Sequence, residues 1–159
     1  MYDRHKAVEY AYRWWNGRNP AFYNFDDIGG DCTNFVSQCL YFGGIEMNFS
    51  QYGWFYSNLS SRSPSWTGVE EFFYFSTTNT NMAGVRAKSI SIENVDIGDV
   101  VQLKLRGEDR FHHSLIITKI DGRKTFDNIL LTSHSYDAIN KPISHYFVED
   151  IRFLKVLNQ

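Results

Sequence analysis

The hydrophobic pattern of this sequence changes near residue 97, and that change limits the folds that are open to it. Before it, apolar residues recur at helical spacing in three segments, residues 3–16, 32–41 and 67–77. After it, β-branched and aliphatic residues cluster between polar turns in four segments, residues 100–105, 114–120, 128–133 and 151–157. Helices followed by strands are typical of α+β domains. We therefore predict N-terminal helices packed on a C-terminal antiparallel β-sheet.

The size and charge of the chain limit its organisation and its partners. With 159 residues, 43% of them hydrophobic, it can bury a core of its own, so a single domain over residues 1–159 is expected. A formal net charge of −2 without long basic runs argues against nucleic acid as a partner. The apolar runs are too short for membrane insertion, and the first residues predict a polar helix rather than a signal peptide. We expect a monomer; the compartment stays open, with a secreted or cell-wall-associated longer precursor as one alternative.

The two cysteines are expected to be free thiols. Cys32 and Cys39 lie seven positions apart on one predicted helix, which separates them by ~10 Å at ~1.5 Å per residue. A disulfide needs Cα atoms within ~7 Å. Two cysteines without a Cys-x-x-Cys pair also argue against a structural zinc site. We expect no metal and no cofactor.

Cys32 follows the turn residues Gly29 and Gly30 and stands at the predicted start of a helix. Unpaired backbone N–H groups and the positive end of the helix dipole favour a thiolate there, so a pKa below the free value of ~8.5 is predicted. The N–H groups around Asp31, Cys32 and Thr33 would also stabilise an oxyanion. We interpret Asp31 as the helix cap and Cys32 as a nucleophile.

A nucleophilic cysteine needs a base, and a pair of histidines opens one of the predicted strands. Neighbouring residues of a strand point to opposite faces, so only one of His112 and His113 can face Cys32. We choose His113, directly before the apolar run of the strand, with His112 as the alternative. Because the His112 and His113 side chains point to opposite faces, a metal site built from these two rings, His134 and a cysteine is not expected.

The base in turn needs a group that fixes its tautomer. If the next hairpin turns at residues 123–124, His134 lies opposite His113 on the same face of the sheet. A tighter turn at residues 121–122 would instead place Leu130 there. Asp137 is the competing orienting residue.

Taken together, these residues resemble a known family. The segment from Gly29 to Gln38, Trp54 and Trp66 after it, and His113 with Ser114 are similar to the bacterial "putative amidase domain" family. That family belongs to the papain-like NlpC/P60 and CHAP superfamily of thiol peptidases and amidases. The resemblance implies a papain-like fold with a cysteine at a helix N-terminus, a histidine at the start of a strand and a third polar residue on the next strand. Those roles fall on Cys32, His113 and His134.

The predicted function is therefore that of a cysteine amidase or peptidase. It would hydrolyse an amide through a thioester intermediate, with bacterial cell-wall peptides as the substrate class implied by the resemblance. Residues 45–66 have no clear period and are predicted to be an irregular surface region, in which Tyr52, Trp54 and Trp66 are candidates for substrate binding. One alternative is an acyltransferase or deamidase that uses the same thiol. The other is an inactive module that binds cell-wall peptide or glycan.

Overall fold

The helical and β-rich segments form an α+β arrangement with a curled antiparallel sheet. The computed structural model describes residues 1–158. Its α-helices are α1 Arg4–Trp14, α2 Cys32–Phe42, α3 Pro64–Thr67 and α4 Val69–Thr78. Its strands are β1 Tyr56–Asn58, β2 Ser61–Arg62, β3 Ala87–Ile90, β4 Val100–Leu105, β5 His113–Ile120, β6 Ile129–Ser133, β7 Ala138–Pro142 and β8 Val148–Val156. Short 3₁₀ helices occupy Ile92–Asn94 and Ile143–His145.

The ends of the helices follow local signals, with one exception. The Asp3 side chain accepts a hydrogen bond from the Lys6 N–H at 3.1 Å and caps α1. Helix α2 begins at Cys32 and ends before Gly43, as predicted. Thr67 and Glu70 have the spacing of a capping box, which predicts a helix that starts at Thr67, but the box does not form. Pro64 at the start of α3 nucleates an earlier turn, so Thr67 ends that helix and Gly68 precedes α4.

The main sheet has six antiparallel strands in the order β3-β8-β4-β5-β6-β7. The four predicted strands form β4, β5, β6 and β8. The pattern did not predict the two edge strands, Ala87–Ile90 and Ala138–Pro142. Each edge strand has a single neighbour and is mostly half-buried or exposed, so it lacks the apolar alternation that marks a buried strand.

The core lies on both faces of this sheet. Helices α1 and α2 cover one face, where Phe35 and Leu40 pack with Val100, Ile116 and Leu154. The other face carries a second buried cluster, made by Val101, Leu103, Leu115, Ile117, Leu131 and Ile143 among others. We call these the helical face and the open face. Within residues 1–158, no helix has both the length and the apolar character needed to cross a membrane.

The two tryptophans expected at the surface are core residues. Trp54 and Trp66 are fully buried with ring centroids 4.6 Å apart. Their indole N–H groups donate to side chains on α2, Trp54 to Ser37 Oγ at 3.1 Å and Trp66 to Asn34 Oδ1 at 2.9 Å. Residues 45–66 therefore pack inward against the polar side of α2. Trp54 and Trp66 offer no surface to a substrate.

Candidate active site

The turn before α2 needs both of its glycines. Gly29 and Gly30 have φ values of +80° and +95°, which side chains with a Cβ rarely adopt. A Cβ on Gly30 would also lie 3.2 Å from Ser135 Oγ, and that hydroxyl accepts a hydrogen bond from the Asp31 N–H at 3.0 Å. The turn thus brings the end of β6 against the residue that precedes Cys32.

Helix α2 is fixed to β5 beside the site. The Thr33 hydroxyl donates to Ser114 Oγ at 2.9 Å, and Gln102 Nε2 on β4 donates to the same oxygen at 3.2 Å. Thr33 follows Cys32 and Ser114 follows His113. The bond between them therefore holds the cysteine close to the start of the strand that carries the histidine.

The Cys32 thiol is buried, with 6% of the residue exposed. Its Sγ lies 3.6 Å from the carbonyl oxygen of His112, to which the S–H donates, and 3.8 Å from Thr33 Oγ1. Burial is the largest effect on the pKa of Cys32 and raises it. Hydrogen bonds from the backbones of Ser114 and Thr33 and from the Thr33 hydroxyl lower this pKa. The negative charge of Asp31 raises it further. The net pKa is above its ordinary value. The predicted lowering of the thiol pKa is thus reversed, because desolvation outweighs the helix N-terminus.

Cys32 and His113 line one cavity of about 190 Å³. This volume is below the range of ~300–1,000 Å³ usual for pockets that bind drug-sized ligands, so the cavity suits a small group. His134, Ser133, Lys141 and Tyr146 also line the cavity. Within residues 1–158, no hydrogen bond joins Sγ to the His113 ring, but both residues line the same cavity.

The His113 ring is hydrogen-bonded to Glu108, an acid that the sequence analysis did not identify. Its Nε2 lies 2.8 Å from Glu108 Oε1, and the other oxygen of Glu108 accepts the Leu105 N–H at 2.9 Å. Partial burial raises the pKa of Glu108, but the hydrogen bonds from Leu105 and His113 outweigh it and hold that pKa below its ordinary value. As a carboxylate, Glu108 accepts a hydrogen bond from Nε2–H, which leaves Nδ1 as the basic nitrogen of His113. The sequence signal that could have identified Glu108 is its position in the short turn just before β5, the strand that begins at His113.

The alternative base, His112, points elsewhere. Its side chain is 39% exposed and pairs with the exposed Asp109, with Nε2 and Oδ1 3.2 Å apart. Its ring does not line the cavity that holds Cys32. Only its backbone carbonyl approaches the thiol. The structure therefore brings His113, and not the His112 ring, to the cysteine.

His134 lies in the core, paired with Asp31 rather than with His113. Its Nδ1 is 2.6 Å from Asp31 Oδ2, its Nε2 is 2.6 Å from the Trp14 carbonyl oxygen, and its ring stacks on Phe35 at 3.9 Å. The Trp14 carbonyl can only accept, so Nε2 of His134 donates to it. The ring and the carboxyl group are 2% and 1% exposed, so their contact is buried. Arg18 Nε lies 3.6 Å from the same oxygen of Asp31.

The register of the hairpin explains why His134 does not meet His113. Ile116 lies opposite Thr132 and Ile117 opposite Leu131. Continuing that pairing places Ser114, not His113, opposite His134. A difference of one residue sends a side chain to the other face. His113 lies beside Leu103 on the open face, while His134 packs against α2 on the helical face.

Asp31 does not cap α2 with its side chain. Its backbone φ and ψ are −104° and 3°, outside the extended region usual for a capping residue. One carboxylate oxygen accepts from the Phe25 N–H and from Asn34 Nδ2, both at 2.8 Å. The other oxygen pairs with His134. Asp31 therefore holds the loop before Cys32 in place, which corrects its predicted role.

Two further candidates lie away from the thiol. Asp137 pairs with Arg18, with Oδ1 and Nη2 2.9 Å apart, and Arg18 also binds Asp26. Tyr52 is 82% exposed and lines a separate cleft of about 790 Å³ beside α4. The structure brings neither Asp137 to His113 nor Tyr52 to Cys32.

The fold and the cavity define an α+β protein in which a cysteine at a helix N-terminus and a histidine at the start of a strand line one cavity. A family described as "Putative amidase domain" matches residues 1–156, and the chain belongs to that family. The family description suggests amide hydrolysis, and thus a hydrolase.

A relative is known from a bacterium. Over 125 residues the chain is 41% identical to "Uncharacterized protein YhbB" of Bacillus subtilis (strain 168), a match that covers 76% of this chain and 38% of that protein. The chain therefore spans less than half the length of this relative. No solved structure matches the chain.

Proposed function

We propose that residues 1–159 form one catalytic domain, a cysteine amidase of the papain-like NlpC/P60 and CHAP type that acts through a thioester. Cys32 is the nucleophile, His113 the base and Glu108 the residue that orients His113. The observation that carries this assignment is the shared cavity of Cys32 and His113, with the far nitrogen of His113 held by Glu108. Membership of the amidase domain family supports the reaction class.

The raised pKa of Cys32 determines how the reaction would begin. The resting thiol is protonated at neutral pH, so the attack needs a base rather than a preformed thiolate. His113 Nδ1 takes the Sγ proton as the sulfur adds to the amide carbon. The positive imidazolium is stabilised by Glu108 through Nε2–H.

The first helical turn supplies a donor for the oxyanion. The first bond within α2 runs from the Phe35 N–H to the Asp31 carbonyl, so the N–H groups before Phe35 lie outside the helical bonding pattern. The Cys32 N–H has no acceptor among residues 1–158 and lies beside the attacking sulfur. His113 then protonates the departing amine, and the acyl group remains on Sγ as a thioester. Water, deprotonated by His113, releases the acid and restores the thiol.

The proposed substrates are peptide amides, with bacterial cell-wall peptides as the leading class. The resemblance to the NlpC/P60 and CHAP superfamily supports this assignment, and the small cavity fits the groups next to one scissile bond. Hydrolysis, acyl transfer to an amine and deamidation share the thioester step, so an added amine distinguishes them by the product that forms.

Alkylation of the two thiols tests the proposal directly. Cys32 is expected to react with iodoacetamide faster than Cys39, which is fully buried and whose pKa burial raises well above its ordinary value. The rate at Cys32 should increase with pH through the range above an ordinary thiol pKa, because its own pKa is raised. His113→Ala should lower the rate at neutral pH on the order of 10²-fold, the low end for a positioned general base. Mass spectrometry of each labelled peptide gives the rates.

The exposed histidine of α1 provides the matched control. His5→Ala should leave the Cys32 rate unchanged. Equal, slow labelling of Cys32 and Cys39, without an effect of His113→Ala, would contradict the enzymatic proposal. The same equal, slow labelling is expected if the domain is an inactive binding module. The burial of Cys32 is the observation that favours such a module.

Glu108 is a positioning residue, and its substitution has a distinct signature. Glu108→Ala is expected to lower kcat for peptide hydrolysis by about 10²-fold with little change in KM, because the His113 ring loses its preferred tautomer. Glu108→Gln should recover most of kcat, since its amide oxygen can accept from Nε2. Steady-state kinetics on a soluble wall peptide measure both. Asp109→Ala, in the same turn but bonded to His112, should retain wild-type kcat; a loss equal to that of Glu108→Ala would show that the turn alone matters.

A further inference from the structure

The turn between β6 and β7 brings a hydroxyl to the backbone that precedes Cys32. Ser135 lines the same cavity as Cys32, and its Oγ accepts the Asp31 N–H at 3.0 Å. A serine hydroxyl that accepts a hydrogen bond still has its own proton to donate. The Ser135 hydroxyl donates that proton to no residue in the part of the chain that the structure describes. Its donor capacity is therefore unused beside the thiol.

The Asp31 backbone determines where this hydroxyl lies relative to the Cys32 N–H. With a ψ of 3°, the nitrogens of Asp31 and Cys32 lie on the same side of the chain, about 3 Å apart by standard bond lengths. With a φ of −104°, the two N–H groups point toward one region of space. An oxygen in line with the Cys32 N–H, at the usual ~2.9 Å, then lies about 3 Å from Ser135 Oγ. One oxygen can accept from both groups.

The backbone of the turn holds the hydroxyl in this place at a conformational cost. Ser135 and Tyr136 have φ values of +56° and +65°, in the left-handed region that residues with a Cβ rarely adopt. Such residues persist only where their surroundings fix them, and they are concentrated at active sites. The contact also needs Gly30, because a Cβ there would lie 3.2 Å from Ser135 Oγ. The strained turn therefore fixes the Ser135 hydroxyl against the loop before Cys32.

We propose that the Ser135 hydroxyl is the second donor to the oxyanion, beside the Cys32 N–H, and thus a further catalytic residue. The inference rests on the proposed function, because an oxyanion forms only when Sγ adds to a carbonyl. In that step the C–S bond forms, the π electrons of the C=O bond move to oxygen, and the Sγ proton passes to His113. Both donors then bind an oxygen that has gained negative charge, so they stabilise the tetrahedral state more than the amide. When the C=O bond reforms, the C–N bond breaks and the departing amine takes the proton from His113.

Ser135→Gly tests this role, because glycine adopts a positive φ without strain and has no hydroxyl. We expect kcat for hydrolysis of a soluble wall peptide to decrease about 10²-fold with little change in KM, as found for loss of one oxyanion donor. Alkylation of Cys32 by iodoacetamide should keep the wild-type rate, because displacement of iodide forms no oxyanion. A residue that only held the Cys32 loop in place would change both rates.

The same substitution elsewhere provides the control. Ser144→Gly, at an exposed position outside the cavity, should leave hydrolysis and alkylation unchanged. A Ser135→Gly protein with the wild-type kcat overturns the inference, while the proposed function stands. Equal losses of hydrolysis and alkylation in Ser135→Gly also overturn it, because they show that Ser135 acts only through the position of Cys32.

An aldehyde tests the same donor without turnover. The Cys32 thiol adds to the carbonyl carbon of N-acetylalaninal, and the Sγ proton passes to the aldehyde oxygen; ¹³C NMR of the labelled carbonyl carbon detects the adduct. Ser135→Gly should weaken the adduct at least fivefold, as expected for loss of one hydrogen bond. No adduct, or an adduct that Ser135→Gly leaves equally stable, overturns the inference. A weakened adduct in a protein that hydrolyses no peptide supports the inference and removes the proposed function instead.

Discussion

Cys32→Ala is expected to abolish hydrolysis of soluble cell-wall peptides, with kcat/KM lower by ~10⁴-fold or more. The reason is that the proposed reaction passes through a bond to Sγ, and no other nucleophilic thiol or carboxylate lines the cavity within the described residues. Alanine removes the sulfur and leaves the backbone of α2, including the Cys32 N–H, in place. The measurement is liquid chromatography with mass spectrometry, which detects the mass of water added across the cleaved amide.

Cys39 supplies the matched control for this experiment. It lies seven residues further along the same helix, is fully buried and does not line the cavity. Cys39→Ala should lose some stability through a small packing defect and retain the kcat of the wild-type protein. Hydrolysis by Cys32→Ala within tenfold of the wild-type rate would rule out Cys32 as the nucleophile.

His134→Ala is expected to destabilise the fold by about 3–5 kcal/mol, the usual cost of truncating a large buried ring and leaving its hydrogen-bond partners unpaired. The change removes the hydrogen-bond partner of Asp31 Oδ2, which keeps only Arg18 Nε at 3.6 Å, and removes the donor to the Trp14 carbonyl. It also removes the ring that stacks on Phe35. For a domain of this size the loss corresponds to a decrease in Tm on the order of 10 °C. Thermal and urea unfolding followed by circular dichroism measure it.

This test distinguishes the roles of His113 and His134, which the sequence analysis placed side by side. His113→Ala should unfold near the wild-type Tm, because its side chain is 18% exposed and its partner Glu108 25% exposed, yet it should lose hydrolysis. His134→Ala should lose stability first. If His134→Ala kept the wild-type Tm and lowered only kcat, His134 would be the third catalytic residue. That result would contradict the proposal that Glu108 orients His113. His5→Ala serves as the surface control in both assays.

Local patterns predicted the parts of the site that depend on neighbours in sequence. The start of α2 at Cys32 follows from two glycines with positive φ and an apolar helix period after them. The strand that opens at His113 follows from a run of aliphatic residues. Both signals arise from backbone sterics and side-chain periodicity within a few residues. Family resemblance, carried by the same residues, agrees with the match over residues 1–156.

Side-chain partners were harder to predict, because they depend on strand register and burial. His134 was expected beside His113, but a difference of one residue in the β5–β6 pairing puts it on the helical face with Asp31. Trp54 and Trp66 were expected at a surface, but they pack against Ser37 and Asn34 of α2. Neither register nor burial can be read from a short segment, since both depend on which distant elements pack together.

By itself, the sequence determined that a cysteine begins a helix, that a histidine begins a strand, and that helices precede an antiparallel sheet. These are consequences of local conformational preference. Tertiary structure alone decided that Glu108 holds His113, that Asp31 binds His134 instead of capping α2, and that the Cys32 thiol is neutral. Those outcomes depend on distances across the fold and on exclusion of water, which raises the cost of charge on a buried sulfur.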